Sequence, residues 1–431
     1  MRGAVMAMFP NEAIEDCRPL WSFSSDLPQT LQVPTKIGRM RLSVFVRAVC
    51  VLCAGLVIFG IEQWHRQAGA GGAMLPAIAP AVWPASQTSA QTGTWVLEAQ
   101  GPIPMPPHTL AAHASNLLAM PPQHPAALTA FWFAGDRESA PNVQIAASQW
   151  DRRGQQWTPA KFVVNRHAVA EKLGYGIRRL GNPVAWLDGD GRLHLFVVAT
   201  GFGGWAASRI LQLQQSTGTN ELVFEPVRVL PLSWWWNISY LVRNPPLNLA
   251  DGGMVLPVHF ELGRKFASAL RFDRQGQLLG MVRISLQGDR LQPALVMQSP
   301  TAWWALMRVQ RPSGKIAVAH TTDAGLHWND LPDLTLDNPD AAVAGLGIHI
   351  GQAVLAYNPS ASGRTTLKLA ESANGVDWSE VSILGKGEGA AEFSYPAVAW
   401  ADNKLWVSYT VDRTHIAWKS FARSRIAGES P

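Results

Sequence analysis

From about residue 113 onward the chain alternates short apolar runs with turn residues, and five of these runs open beside a proline. Asn182-Pro183, Asn244-Pro245, Gln292-Pro293, Asn338-Pro339 and Tyr395-Pro396 lie 62, 48, 46 and 57 residues apart. Each leads into an apolar stretch, a turn often built from Asp, Gly or Asn, and a second apolar stretch. The clearest copies are NPVAWLDGDGRLHLFVV (182–198), NPPLNLADGGMVLPVHF (244–260) and YPAVAWADNKLWVSYTV (395–411). A sixth copy without the proline is HASNLLAM, a PPQHP turn and ALTAFWFAG (113–135). Self-similarity at a period near 50 predicts an all-β, six-bladed β-propeller, because one four-stranded blade cannot bury both faces alone. Propellers carry their sites at the central channel, so residues beside the prolines become the first candidates.

A smaller repeat falls between these copies. TTDAGLHW (321–328) fits the Asp-box pattern S/T-x-D-x-G-x-x-W, SANGVDW (372–378) is one residue short, SQWDRRGQQW (148–157) carries an insertion, and FDRQG (272–276) is a remnant. Gly276, Gly325 and Gly375 keep the period at 49 and 50 residues. The pattern predicts a hairpin turn in which Asp accepts backbone N–H groups, Gly supplies a positive φ and Trp packs back on the sheet. Its role is structural, away from the site.

One apolar run breaks the alternation. Leu42–Ile61, LSVFVRAVCVLCAGLVIFGI, is long enough to span a bilayer, and its single charge, Arg47, can snorkel to the headgroups. Lys36, Arg39 and Arg41 precede it, which predicts a cytoplasmic N-terminus and a propeller outside the cytoplasm. The alternative is a cleaved signal peptide starting at Met40, with AGAGGA (68–73) offering small residues for cleavage. The expected organisation is a tail over 1–41, the membrane segment over 42–61, an Ala/Gly/Pro-rich linker over 62–107, the propeller over 108–421 and a tail over 422–431.

Composition narrows the function classes. The 47% hydrophobic and 16% charged content, with 37 Gly and 30 Pro, suits a turn-rich β protein. A formal charge of +5 is not gathered into any long Lys/Arg run after residue 66, so no nucleic-acid partner is expected. The only cysteines are Cys17, Cys50 and Cys53, so the propeller has no disulfide and no thiolate chemistry. With no His-x-His or Glu-x-x-His spacing either, neither a metal nor another cofactor is expected.

The strings WFAGDRE (132–138), GFGGWAASR (201–209), LVRNPP (241–246), PVHFE (257–261), QPALV (292–296), AYNPSASGRT (356–365) and EFSYPAV (392–398) make the stretch from His113 to Trp418 similar to the sialidase-like BNR-repeat propellers. That resemblance implies an exo-glycosidase acting on an acidic sugar or glycan. Three arginines would hold the sugar carboxylate, a tyrosine activated by a glutamate would attack, and an aspartate near the first blade's loop would act as acid and base. A bidentate guanidinium suits a carboxylate, and a tyrosine nucleophile is a known exception to the two-carboxylate scheme of glycosidases.

The sequence departs from the pattern in three places. The early Arg-Ile-Pro tripeptide is replaced by PPHTLAAHASN, with His108 and His113; Asn142 stands where an acid is expected; and the nucleophile aligns with either Phe393 or Tyr395. The catalytic candidates are Tyr395, Glu392, Asp136 and Glu138. The substrate-binding candidates are Arg137, Arg243, Asn244, Glu261, Arg308, Arg364, His113 and Asn182. Tyr395 precedes a proline, which predicts an extended conformation projecting toward the channel, with Glu392 within reach of its hydroxyl. Arg243 and Arg364 are expected to bind an anion without contributing to stability. Trp234-Trp235-Trp236 and Trp303-Trp304 are candidate sugar platforms, although alternation predicts that at least one of each run is core. The departures leave a second class open, a non-catalytic propeller that binds glycan or a protein partner, and a uronic-polysaccharide lyase is a third reading.

Overall fold

The computed structural model describes residues 36–68, 79–83 and 93–424, apart from 139, 217–220, 235 and 312–313. The expected tail through residue 35, the candidate cleavage stretch 69–73, Trp235 and residues 425–431 lie outside the described residues. Helix Lys36–Ala68 contains the apolar run. Within it, Val44–Glu62 is 19 residues of mean hydropathy 2.6, long and apolar enough to cross a membrane.

The rest is a six-bladed β-propeller. Its six antiparallel sheets begin with the strands Ala111–Ala119, Arg179–Leu187, Tyr240–Val242 (continued by Leu247–Asn248), Arg290–Met297, Ala344–His349 and Phe393–Ala401. These strands line the channel, and successive strands lie outward in chain order in the first five blades. Because each blade is covered on both faces, its central strands are buried throughout and largely apolar rather than alternating. Ala126–Gly135, Leu193–Thr200 and Met254–Phe260 are buried at every position.

The ring closes through a strand that was expected to be linker. Trp95–Pro102 pairs antiparallel with His415–Arg423, from Trp95↔Arg423 to Pro102↔Ala417, as the outermost strand of the sixth blade. Trp95 pins it, with its indole N–H donating to Glu371 at 2.9 Å and its ring under the Arg423 guanidinium at 4.0 Å. The propeller therefore starts before residue 108. A second piece of the expected linker, residues 79–83, also docks. Ala81 bridges Leu249 and donates to Pro300 O, while Trp83 stacks on His349 with centroids 6.3 Å apart. This strap lies at the ends of the third, fourth and fifth inner strands, opposite the end at which those strands begin.

The repeated prolines mark a backbone device. Pairing is interrupted between His113 and Asn116, Gly181 and Val184, Leu291 and Ala294, and Ser394 and Ala397. Inside these bulges Ala114, Asn182, Gln292 and Tyr395 have φ of 55°, 43°, 52° and 51°. Proline lacks an N–H and fits an inner strand only at such a bulge. The unpaired carbonyls and amides are met by buried side chains from neighbouring blades. Asn116 accepts from Ala185 N (3.1 Å), Asn244 donates to Gln292 O (2.9 Å) and Pro293 O (3.1 Å), and Asn358 donates to Phe393 O (2.8 Å). At the opposite rim the turn 321–328 has His327 N donating to Asp323 (2.9 Å), φ of 88° at Gly325, and Trp328 donating to Gly325 O (3.1 Å). Trp303 and Trp304 are 0% and 5% exposed, so neither serves as a sugar platform: both pack in the core against these turns.

The closure makes a direct prediction. A chain truncated to begin at residue 103 loses the sixth blade's outer strand and is expected to aggregate or unfold without cooperativity, whereas one beginning at residue 79 unfolds in a single urea transition. Equal urea midpoints for the two would show that the ring does not depend on this strand.

Candidate functional site

The bulge at the head of the sixth inner strand turns Tyr395 into the channel with φ of 51°, not the extended backbone expected before a proline. Here the tertiary requirement of the bulge overrides the local steric preference. Phe393, the other alignment, packs at 6.4 Å from Tyr409 and under Gly385, in the core between the fifth and sixth blades. Around the Tyr395 ring stand His113, 4.2 Å away between centroids, and the guanidinium carbons of Arg243 and Arg364 at 5.2 and 5.8 Å. The Arg308 guanidinium, which donates to Asp340, lies close enough to the Tyr395 side chain for the two to interact electrostatically. Four blades thus converge on one phenol: the first through His113, the third through Arg243, the fourth through Arg308 and the fifth through Arg364.

The arginines are held in different ways. Arg243 is 2% exposed and donates to Ser115 O at 3.3 Å and Pro396 O at 2.7 Å. Burial lowers its pKa to about 10, with Tyr395 opposing the shift. It is built into the ring, which overturns the expectation that it contributes nothing to stability. Asn244 is likewise buried and committed to the backbone carbonyls of the fourth blade. Arg308 and Arg364 are less enclosed. Burial opposes the charge of Arg308, but its pairing with Asp340 and its contact with Tyr395 prevail and raise its pKa. Arg364 donates to Glu392 at 3.2 Å and to Asp340 O at 2.9 Å.

Glu392 does not stand by as a base for Tyr395. One carboxylate oxygen accepts from Ser394 at 2.7 Å and from Arg364, and the other accepts from Arg413 at 2.8 Å. Burial pulls its pKa up, but these bonds and charges outweigh burial and hold it at about 2. A carboxylate so acidic is a poor proton acceptor, and its position makes it a brace for two guanidiniums. Arg413, which no sequence motif marked, lies in the turn after the sixth blade's second strand with φ of 56°. It bridges Glu392 and Glu138, and its carbonyl accepts from Ala112 N at 3.0 Å.

The first-blade loop supplies the remaining groups. Arg137, Glu138 and Arg413 line one hollow with His113 and Phe133. Asp136 and Arg137 are exposed, and Asn142 accepts from Asp136 N at 3.4 Å, which braces the loop. Glu261 follows the third blade's second strand, and its Oε1 is 3.1 Å from His259 Nε2. Burial pulls its pKa up, but the His259 hydrogen bond and the charges of Arg308 and Lys265 outweigh this and lower it. Asn182 occupies the second blade's counterpart of Tyr395 and is buried there. Among the described residues no group of three His, Cys, Asp or Glu side chains could hold a metal ion.

His113 is buried beneath three guanidiniums. Burial, then the charge of Arg413, with Arg243 and Arg364 adding to it against Glu392, lowers its pKa from 6.5 to about 3, so the imidazole is neutral. Between these values the unfolded chain binds a proton that the folded chain refuses, so stability is full above pH 6.5 and falls as pH drops toward 3. Near pH 4.5 this single group is expected to cost about 2–3 kcal/mol. Urea midpoints at pH 7 and near pH 4.5 should converge in His113→Asn relative to the parent; an identical acid loss in both would show that His113 is not held neutral.

The fold recurs in proteins of known structure. A Hadza microbial sialidase matches with a TM-score of 0.60 at 16% identity, over 73% of this chain and 66% of that one. The Trypanosoma rangeli sialidase, solved as a covalent intermediate with 2,3-difluorosialic acid, matches with a TM-score of 0.55 at 13% identity, over 74% and 56%. A Dyadobacter fermentans protein of unknown function matches at 0.59 and 12% identity, over 77% of this chain and 99% of its own. This chain thus spans less than two thirds of either sialidase chain, and at such identities the likeness concerns the fold. No curated protein sequence matches. The BNR repeat-like domain matches residues 126–407, the stretch that carries the second to fifth blades whole, the outer strands of the first and the head of the sixth, and the chain belongs to that family.

Proposed function

We propose that this protein is an exo-glycosidase that removes a terminal, carboxylate-bearing sugar from a glycan. The observation that carries the reading is the convergence of Arg308, Arg364 and Arg413 on the surroundings of one channel-facing phenol, Tyr395. Guanidinium forks suit a carboxylate, and carboxylate braces such as Glu392 and Asp340 hold them ready before the ligand arrives. Arg243, beneath the ring, contributes charge and rigidity without touching substrate.

The chemistry follows from the remaining groups. A phenol needs a base to attack at neutral pH. Glu261 is the candidate, because Glu392 is held by Ser394, Arg364 and Arg413, whereas Glu261 bonds to His259 alone and lies near Arg308, which adjoins Tyr395. Tyr395 Oη bonds to the anomeric carbon as its proton passes to Glu261, and the anomeric bond to the leaving group breaks. The departing oxygen takes a proton from the Asp136 carboxyl, since Glu138 is committed to Arg413. In the second step Asp136 takes a proton from water, the water oxygen bonds to the anomeric carbon as the bond from that carbon to Tyr395 Oη breaks, and the released Tyr395 oxygen recovers its proton from Glu261. The neutral His113, where the family pattern has an arginine, is compensated by Arg413 reaching the same hollow from the sixth blade.

Turnover of aryl glycosides of sialic and related acidic sugars by the solubilised full chain tests the reading. Tyr395→Phe is expected to lower kcat by at least about 100-fold with little change in affinity, and Arg364→Ala to raise KM about 10-fold or more. No turnover on any of these substrates, with acidic-sugar binding retained, would favour the second reading, a non-catalytic glycan-binding propeller. Asn142 in place of an acid is the observation on its side.

The apolar helix is read as a tether that leaves the propeller outside the cytoplasm, because Lys36, Arg39 and Arg41 precede it. A C-terminal reporter that works only outside the cytoplasm should be active and membrane-bound. Activity from a reporter confined to the cytoplasm would reverse the orientation.

A further inference from the structure

One arc of the propeller face on which the inner strands begin is apolar where it meets water. Four connections end there: 201–208 within the second blade, 230–239 leading into the third, 261–265 within the third and 284–289 leading into the fourth. They are laced together. Ser239 N donates to Ser208 O (2.7 Å), Glu261 N to Ser239 O (3.1 Å) and the Arg264 guanidinium to Leu286 O (2.8 Å). At their tips Phe202, Trp234, Trp236 and Leu286 are 87%, 68%, 47% and 68% exposed. Arg178 and Arg264 are exposed beside them, the Arg178 guanidinium 5.2 Å from the Phe202 ring centroid.

This exposure is built into the loops. In 230–239, Asn237 donates to Leu230 O (2.6 Å) and accepts from Leu232 N (3.1 Å), and Trp236 N donates to Ser233 Oγ (3.1 Å). In 201–208, φ of 96° at Gly203 and 62° at Gly204 fold the loop back on itself. Large apolar tips held in water on fixed loops forgo hydrophobic stabilisation, and a cluster of them marks an interaction surface. Tryptophan and phenylalanine interleaved with arginine suit the headgroup level of a bilayer, where rings reach the acyl boundary and guanidiniums meet phosphate.

Continuity with the apolar span names the occupant. The compact unit that holds the propeller begins at Gly60. Within it Glu62, the last residue of the span Val44–Glu62, is buried and accepts a hydrogen bond from Ser233, the neighbour of Trp234. The loop that carries the exposed indoles is thus bonded to the residue at which the span ends.

We propose that this arc docks on the surface of the bilayer that the span crosses, seating Phe202, Trp234, Trp236 and Leu286 among anionic lipid headgroups. The inference rests on the reading of Val44–Glu62 as a membrane span. Tyr395 heads an inner strand on the same face, so under the glycosidase reading the acidic sugar removed is one carried on a lipid.

The test uses the full chain with Cys17→Ser, Cys50→Ser and Cys53→Ser and one new cysteine, Phe202→Cys or, on the opposite rim, Val376→Cys. Each is labelled with the fluorophore NBD and reconstituted in vesicles of phosphatidylcholine and phosphatidylglycerol. Spin-labelled phosphatidylcholine should quench the label at position 202 by about half or more and leave the label at 376 nearly unquenched. Trp234→Ala with Trp236→Ala should restore most of the lost intensity, and omitting phosphatidylglycerol should weaken the quenching. Equal quenching at both positions, or quenching indifferent to the tryptophans, overturns the docking. A blue shift at 202 without quenching marks a protein contact and overturns it too. Release of the chain by alkaline carbonate removes the span and with it the ground for docking. A vesicle-borne ganglioside hydrolysed more slowly by the double tryptophan variant, with soluble sialyl-lactose hydrolysed as before, supports the lipid-borne substrate. Turnover of neither removes the glycosidase reading, while the labels still decide the docking.

Discussion

The Arg243 side chain is the tie on which the site depends. It leaves the third blade, crosses the channel and donates to Ser115 O of the first blade and Pro396 O of the sixth. Both acceptors lie in bulges, where the inner strands cannot satisfy their own backbone groups. A charged donor makes these bonds stronger than neutral ones would be, and leaving such carbonyls buried and unmet costs about 1–3 kcal/mol each. The same atoms position Tyr395, because Pro396 follows it and the phenol ring lies 5.2 Å from the guanidinium. Fixing the sixth bulge to the third blade fixes where Tyr395 points. A structural cation and a candidate reactive group are therefore mechanically one unit.

Charge in the funnel is arranged in pairs. Asp340 serves Arg308, Glu392 serves Arg364 and Arg413, and Glu138 serves Arg413 from the first blade. This explains why Glu392 has so low a pKa and why it suits bracing better than proton transfer. It also explains the first-blade departure. A neutral His113 beneath three guanidiniums adds no repulsion, whereas an arginine there would crowd Arg413. In this chain the cation over that hollow comes from the sixth blade, and the carboxylate facing it comes from the first.

What could be read in the sequence was whatever left a local trace. Prolines at bulges, and glycines and tryptophans at outer turns, recur because each blade solves the same backbone problem. Tyr395 and Arg364 were reachable through strings near those marks, and Arg308 only as an arginine within the fourth repeat copy. Arg413 was not: it sits in Asp412-Arg413-Thr414, a turn with no motif, and matters only because the ring brings it to Glu138, 275 residues away in sequence. The closing strand Trp95–Pro102 was invisible for a related reason. As an outer edge strand it is mostly exposed, so it shows no inward-facing stripe, and its partner lies at the far end of the chain.

Backbone strain does not by itself single out the site. Left-handed φ in a non-glycine residue costs energy and is often associated with function. Here it recurs at Ala114, Asn182, Gln292 and Tyr395, one in each of four blades, so it belongs to the architecture. Three of these positions carry side chains that serve packing or hydrogen bonding, as Gln292 does through its 3.3 Å contact with Arg308. Tyr395 differs only in what surrounds it: guanidiniums from the third, fourth and fifth blades and a neutral imidazole from the first. The fold repeats one strained corner around the channel, and the unequal distribution of charge makes one of those corners the candidate site.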